Sequence, residues 1–438
     1  MKTRLCRQVL LFFALLLSAN MWSYWHRLPQ IVYVLTADSV KPKALSDLYP
    51  RWYGTRELLL RHRDPYGVEV SHEIQIAFYG KVLDPSRPGE PRDQQRFAYP
   101  LYVVFLLAPT VHMNFHTVRI VFWWFLAAVT ALSIFLWLRF FRLNFSLSAL
   151  AALFAMLLVS VPVLQGVSLL QLGLLVSCFI SAAALSVVSG HFLLAGAFLA
   201  LATIKPQLSV LPIAWFVLWV VGAWRERRSL LAGLAATLGA LILGSECLLP
   251  GWFLRYPAAL HAYVGYTSAT SLVGVLFPPA LNWLVSAAAL VIAASFCWRA
   301  RHQPANSRAF AMALGFALTL TVSIVPTVVA PFNHVVLFPV VLMMILYRRD
   351  FWRTNLLTRF SCVIFYGCGL LPWLLALVLI FVPSHSHQSW LLWSAPLSAS
   401  LALPFAGFGY LLLMRRLDAS SYSAFRDRDQ IEKRLTIS

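Results

Sequence analysis

SDLYPRWYGTRELLLRHRDPY, residues Ser46 to Tyr66, is polar, charged and aromatic in a chain that is otherwise mostly apolar. A stretch of this kind, coming after a first apolar segment, reads as an extramembrane loop attached to a membrane body. It is where chemistry on a polar substrate is expected. Apolar and aromatic residues from Leu48 to His62 recur at helical spacing, and Ser46 or Asp47 is placed to cap that helix.

The rest of the chain supports this division. Of 438 residues, 60% are hydrophobic and 12% charged, against roughly 25% charged in soluble domains. The apolar excess lies in repeated runs long enough to cross a bilayer, which predicts an all-α polytopic membrane protein. The net charge of +19 follows from the excess of Lys and Arg in cytoplasmic loops, so no nucleic-acid partner is expected. Six cysteines without a C-x-x-C pair read as small core residues. Val9 to Tyr24, preceded by Lys2, Arg4 and Arg7, reads as an uncleaved signal anchor with a cytoplasmic N-terminus.

The long first loop, 26–96, holds more than half of the 16 acidic residues. Long loops translocate largely regardless of charge, so its cations do not set topology. His72 to Tyr79 reads as a second short helix, and the stretch with Pro85, Pro88, Gly89 and Pro91 as irregular. Tyr99 to Val111, bounded by Pro100 and Pro109, is too short to span. Spans are expected near 117–138, 144–162, 168–188, 191–204, 207–223, 229–249, 276–298, 308–326, 333–347, 358–382 and 389–413. The clusters Arg139/Arg142, Arg225/Arg227/Arg228, Arg299/Arg301/Arg308, Arg348/Arg349/Arg353/Arg359 and Arg415/Arg416 then fall on one side, the cytoplasm. That gives about twelve spans, both termini inside, a single transmembrane domain over 1–416 and a polar tail over 417–438. Arg119, Lys205 and Arg255 are left outside, where topology does not ask for them; they are candidates for binding an anion.

Among chemistry-bearing residues Asp47 comes first. A carboxylate within reach of a hydroxyl can serve as general base; the same residue could simply cap the helix that begins at Leu48. Lys205 precedes Pro206, where a helix should break or kink. It could reach an anionic headgroup or snorkel to the interface. His334, after Asn333, could donate to a phosphate, line an acceptor pocket, or pack with its nitrogens hydrogen-bonded. Gln171 lies near a span start. Asp64-Pro65-Tyr66 and Tyr99-Pro100 read as rigid turns beside a pocket, or as plain turns. Tyr49, Trp52 and Tyr53 suit sugar stacking or interfacial anchoring. Glu246 could pair with a cation or be a second carboxylate, and His385 and His387 read as a polar loop. With no Gly-rich phosphate loop, no H-E-x-x-H and no acidic pair suited to Mg²⁺, neither metal nor cofactor is expected.

In order along the chain, these pieces resemble bacterial glycosyltransferase family 87, polyprenyl-phosphate-sugar-dependent membrane enzymes of the GT-C fold. The matching residues are Asp47 in SDLYPRWYG and Asp64-Pro65-Tyr66 preceded by Arg63, where the family usually has Gly. They continue with Tyr99-Pro100-Leu101 for Tyr-Pro-Pro and Leu170-Gln171 for a Gly-Gln helix start. The last are Lys205-Pro206 closing AGAFLALATIKPQ, and Ala330-Pro331-Phe332-Asn333-His334 for a late Ser-Pro-x-x-x-x-His. The resemblance implies a GT-C-like body whose first loop carries short interfacial helices. It also implies a polyprenyl-phosphate-linked sugar donor, a glycan or glycolipid acceptor, Asp47 as base, and Lys205 and His334 near the donor phosphate. The expected reaction is an inverting transfer of a hexose such as mannose, or of a pentose, at the extracytoplasmic face of the inner membrane. The alternatives are a transporter of lipid-linked sugars or lipids, and a glycan polymerase or ligase of related fold.

Overall fold

The structure, a computed structural model, describes residues 2–35, 45–84, 86–87, 90–91, 93–267, 270–327, 329–352, 356–382 and 392–415. The tail 417–438, His385, His387, Pro85, Pro88 and Gly89 lie outside the described residues. The chain runs through α1 (Lys2–Leu35), α2 (Tyr49–Arg61), α3 (Val68–Tyr79), α4 (Val103–Leu107), α5 (Phe115–Phe140), α6 (Leu147–Leu158), α7 (Val161–Ser168), α8 (Gly173–Val188) and α9 (Phe192–Ala202). It continues through α10 (Pro206–Gly222), α11 (Trp224–Leu248), α12 (Trp252–Thr267), α13 (Leu272–Leu276), α14 (Pro279–Ala300) and α15 (Arg308–Ile324). A 3-10 turn over Pro331–Leu337 then leads into α16 (Phe338–Leu346), α17 (Arg348–Trp352) and α18 (Leu356–Leu379). The expected all-α class is observed; the one β feature among the described residues is an isolated bridge, Thr270 to Thr327.

Among the described residues six helices are long and apolar enough to cross a membrane: Gln8–Leu28, Phe115–Phe140, Ser229–Leu248, Pro279–Ala300, Thr358–Leu379 and Ala395–Arg415. The expected span 144–162 is instead α6 and α7, bent by 54° at Ser160, where Pro162 enters the first turn; as one span the pair makes a seventh. The apolar runs at 173–188, 192–202, 206–221, 308–324 and 331–346 form shorter helices. At 1.5 Å per residue, α9 is about 16 Å long, half the ~30 Å hydrocarbon thickness. Tyr99 to Val111 does not span; it folds into α4 and a single 3-10 turn.

The short helices hang together through close backbone contact. A Cβ on Gly196 of α9 would lie 2.0 Å from the Leu230 carbonyl oxygen, and one on Gly233 of α11 would lie 2.0 Å from that of Leu193. Glycine on both sides is what lets the two helix backbones touch, the usual device for packing helices in lipid. At one end of the bundle the basic loops meet. Arg227 donates to the carbonyls of Trp219 at 2.7 Å and Arg301 at 2.8 Å, and Trp219 Nε1 donates to Gln303 O at 2.9 Å. Arg308 pairs with Asp350 at 3.4 Å nearby.

The first loop is folded. Helix α2 ends at His62 in the left-handed region (φ 54°). The turn throws Arg63 between α2 and α3, where it pairs with buried Glu57 at 2.7 Å and with Glu73 at 2.9 Å; Tyr53 OH also donates to Glu73 at 2.7 Å. A Cβ on Gly54 would sit 2.6 Å from the Phe97 ring, so glycine there lets the 93–99 segment lie against α2. That contact sets one wall of the site.

Candidate active site

Opposite the basic loops, at the far ends of α10 and α15, lies a cleft of about 270 Å³. Asp47, Arg51, Asp93, Arg96, Tyr99, Gln165, Gln171, Lys205, Tyr263 and Phe332 are among the residues that line it. All five short helices start or stop here. Gln171 precedes α8, Lys205 separates α9 from α10, Thr327 follows α15, and Phe332 lies in the turn that leads into α16. The cleft therefore occupies the space those helices leave at their truncated ends.

Local geometry brings the polar groups to bear. Asp47 does not cap α2: the N-cap residue is Leu48, with no side-chain cap bond. The capping reading fails because the Asp47 carboxylate turns the other way, its Oδ2 accepting a hydrogen bond from Gln171 Nε2. Gln171 is aimed by the end of α7. Leu170 takes φ 53°, its N–H bonds Val167 O at 3.2 Å, and the Gln171 N–H bonds Gly166 O at 2.8 Å. This is the Schellman pattern, which normally carries Gly at the left-handed position. Here buried Leu170 occupies it.

Gln171 Oε1 in turn accepts from Lys205 Nζ at 3.2 Å, and the same ammonium donates to Asn333 Oδ1 at 3.1 Å and lies 4.8 Å from the Phe332 ring centroid. Lys205 is the N-cap of α10, held in place by the break at Pro206. A single glutamine amide thus joins the carboxylate to the ammonium, and the lysine fixes which end of that amide faces Asp47. Burial pushes the Asp47 carboxyl above the usual carboxylate range. Arg51 pulls it down, Asp93 pushes it up, and Lys205 and the Gln171 hydrogen bond pull it down again; burial wins. The arrangement is a partly shielded carboxylate, oriented from behind, facing a space large enough for a sugar ring.

The structure brings Asp47, Tyr99, Gln171 and Lys205 to one cleft. Tyr66 and Asp64 stand behind its wall: Tyr66 OH donates to Tyr99 O at 2.7 Å, and Asp64 accepts from the Tyr66 N–H at 2.9 Å. Arg255 pairs with Asp64 at 2.8 Å. Arg119 lies in the second turn of α5, outside the lining. His334 is turned away. In a 3-10 turn successive residues point about 120° apart, so Asn333 meets Lys205 while His334 Nδ1 contacts Ser400 O at 3.2 Å. The His334 ring lines a separate apolar cavity of about 300 Å³ with Phe338, Met344, Phe365 and Trp373. Glu246 accepts from the Gly251 N–H at 2.6 Å and serves the turn after α11.

Sequence reasoning passed over Arg51, Asp93, Arg96, Gln165 and Tyr263. One signal was present: Arg51 stands four residues after Asp47, in the first turn of the helix that follows it, which keeps the two close. Gln165 supports the cleft floor, its Oε1 accepting from the Phe332 N–H at 3.0 Å.

An all-helical body with several segments long and apolar enough to cross a membrane, and a charged cleft at one end, is that of a multi-pass membrane protein. The model of Glycosyltransferase family 87 matches residues 97–326, more than half of the chain, and the chain belongs to this family of membrane glycosyltransferases. The match takes in Tyr99, Gln171 and Lys205; Asp47 and Arg51 precede it and Asn333 and His334 follow. No curated protein and no solved structure matches.

Proposed function

We propose that the protein transfers a hexose such as mannose, or a pentose, from a polyprenyl-phosphate donor to a hydroxyl of a glycan or glycolipid, with inversion and with Asp47 as general base. The observation that carries this reading is the oriented carboxylate: Asp47 is held by Gln171, and Gln171 by Lys205. Asp47 takes the acceptor proton as the acceptor oxygen attacks the anomeric carbon from the face opposite the phosphate. One carboxylate is enough for a single displacement with a phosphate leaving group. Tyr99 shapes the sugar pocket, and the Arg255–Asp64–Tyr66 chain braces it from behind. Metal is not required.

The topology proposed is the GT-C arrangement with about twelve spans in the inner membrane. The five short helices lie in the bilayer beside the long ones, the basic loops and both termini face the cytoplasm, and the cleft faces outward. What supports it is the gathering of arginines at one end of α10 and α15 and of the cleft at the other.

The test uses the purified chain in liposomes loaded with a radiolabelled polyprenyl-phosphate sugar and a glycolipid acceptor. A new glycosidic bond of inverted anomeric configuration is expected. Movement of the labelled lipid between leaflets without bond formation would replace the enzyme by a transporter.

A further inference from the structure

Among the described residues three cations line the cleft: Arg51, Arg96 and Lys205. They are not equally engaged. Lys205 is taken up by Gln171 Oε1, Asn333 Oδ1 and the Phe332 ring. The two arginines form no ion pair among the described residues. Arg51 donates to the backbone carbonyl of Asp47, and its guanidinium lies 4.6 Å from the Tyr99 ring centroid. Arg96 lies 5.8 Å from the Tyr266 ring centroid, and its Nε is buried with no hydrogen-bond acceptor. A guanidinium has five donors in a fixed fork: Arg51 spends part of its fork on Asp47 O and the Tyr99 hydroxyl, Arg96 keeps its Nε without an acceptor, and both have donors left for a ligand at a lining position. Two forks propped on tyrosine rings match the oxygens of a phosphate, which takes such groups two at a time. Outside the lining, Arg255 is spent on Asp64.

We propose that Arg51 and Arg96, in place of Lys205 and His334, hold the donor phosphate, and that the cleft is charge-matched to a phosphate diester. This rests on the lipid-phosphate donor proposed above. The charges of the described lining residues support it: Arg51, Arg96 and Lys205 against Asp47 and Asp93 leave one net positive charge. A proton shared between Asp47 and Lys205 does not alter that total. A sugar phosphodiester brings one negative charge and makes the filled cleft neutral. In the reaction the bond from the anomeric carbon to the phosphate oxygen breaks, and its electron pair stays with the phosphate. The bond to the acceptor oxygen forms, and the hydroxyl proton moves to Asp47. The departing lipid phosphate monoester then carries close to two negative charges, and the cleft, with Asp47 protonated, carries two positive ones. Neutrality is kept at both ends of the step. A lipid diphosphate sugar would leave an uncompensated negative charge in a partly buried site.

The probe is farnesyl phosphate, a monoester of the same class as the leaving lipid phosphate, which the cleft matches in charge with Asp47 protonated; farnesol is the phosphate-free control, and both are titrated calorimetrically into the full chain in detergent. Wild type should bind farnesyl phosphate at least tenfold more tightly than farnesol. Arg51→Gln and Arg96→Gln should each lose about tenfold or more for farnesyl phosphate and leave farnesol unchanged. Arg96→Lys should recover part of the loss and serves if the Gln variant does not fold. Equal binding of the two probes by wild type, or wild-type farnesyl phosphate affinity in the folded arginine variants, overturns the assignment. Transfer by Arg96→Gln at an unchanged donor KM would sink this site and leave the transferase reading standing. Arginine-dependent phosphate binding by a chain that forms no glycosidic bond would do the reverse.

Discussion

The carboxylate of Asp47 and the amide of Gln171, 124 residues apart in sequence, are hydrogen-bonded across the cleft. The other end of that amide is bonded to Lys205, so the glutamine cannot flip without losing both contacts. Gln171→Leu leaves Asp47 in place without its orienting donor. A hydrogen bond to a charged group contributes about 1.5–3 kcal/mol, so kcat should fall roughly 10- to 100-fold, with a smaller change in donor KM. Steady-state transfer kinetics in liposomes read both constants.

The pH dependence of transfer follows from the same carboxylate. Burial raises its pKa above the ordinary value near 4, and the base works only when ionised. Activity should be full above the raised pKa and fall as pH drops through it, at a higher pH than an exposed aspartate would show. Gln171 stabilises the ionised form, so Gln171→Leu should move the acid limb higher still. A limb that stays put in that variant would separate Gln171 from the titrating group.

At Leu170 backbone strain and side-chain packing oppose each other. The left-handed backbone costs an L-residue roughly 1–2 kcal/mol, whereas the buried leucine contributes about 2–5 kcal/mol relative to a truncated side chain. Packing outweighs strain. Leu170→Gly should lower stability by about 1–3 kcal/mol despite restoring the residue that such a turn favours. Thermal unfolding in detergent checks the sign; a stabilised variant would mean that relief of backbone strain outweighs the lost packing.

Arg63 clamps α2 to α3 through Glu57 and Glu73. Arg63→Ala leaves buried Glu57 with only the largely exposed Arg61 at 3.1 Å. A loss of about 2–3 kcal/mol is expected, together with faster proteolysis of the first loop. Cleavage rates as slow as wild type would show that the loop is held by other contacts.

Gly196→Leu should be worse than any of these. Its side chain has no space against the Leu230 carbonyl, so α9 and α11 must separate. Because α9 ends three residues before Lys205, activity and folded yield should fall together. Size-exclusion profiles of the expressed variant decide it.

How much of this was legible in the sequence differs by feature. The helical class, the folded first loop and the non-spanning 99–111 segment could be read from hydropathy and proline spacing. Apolar runs do not reveal that five helices stop short at a cleft, because a residue before a span and a residue at a buried break look alike. Asp47 stood out as an acid beside aromatics, and Lys205 as a cation before a proline. Arg51 and Arg96 were lost among the loop cations that topology ignores. The orientation of His334 depends on a 3-10 turn, whose period decides which of two adjacent side chains reaches Lys205; no spacing in the sequence reports it.

The role of Asp47 is decided by Asp47→Asn. The change removes a charge that burial disfavours, so the variant should be at least as stable as wild type, and loss of activity can be assigned to chemistry. Transfer from a radiolabelled polyprenyl-phosphate sugar should drop by about 10²-fold or more while the donor still binds. Transfer within a few-fold of wild type would take Asp47 out of the reaction.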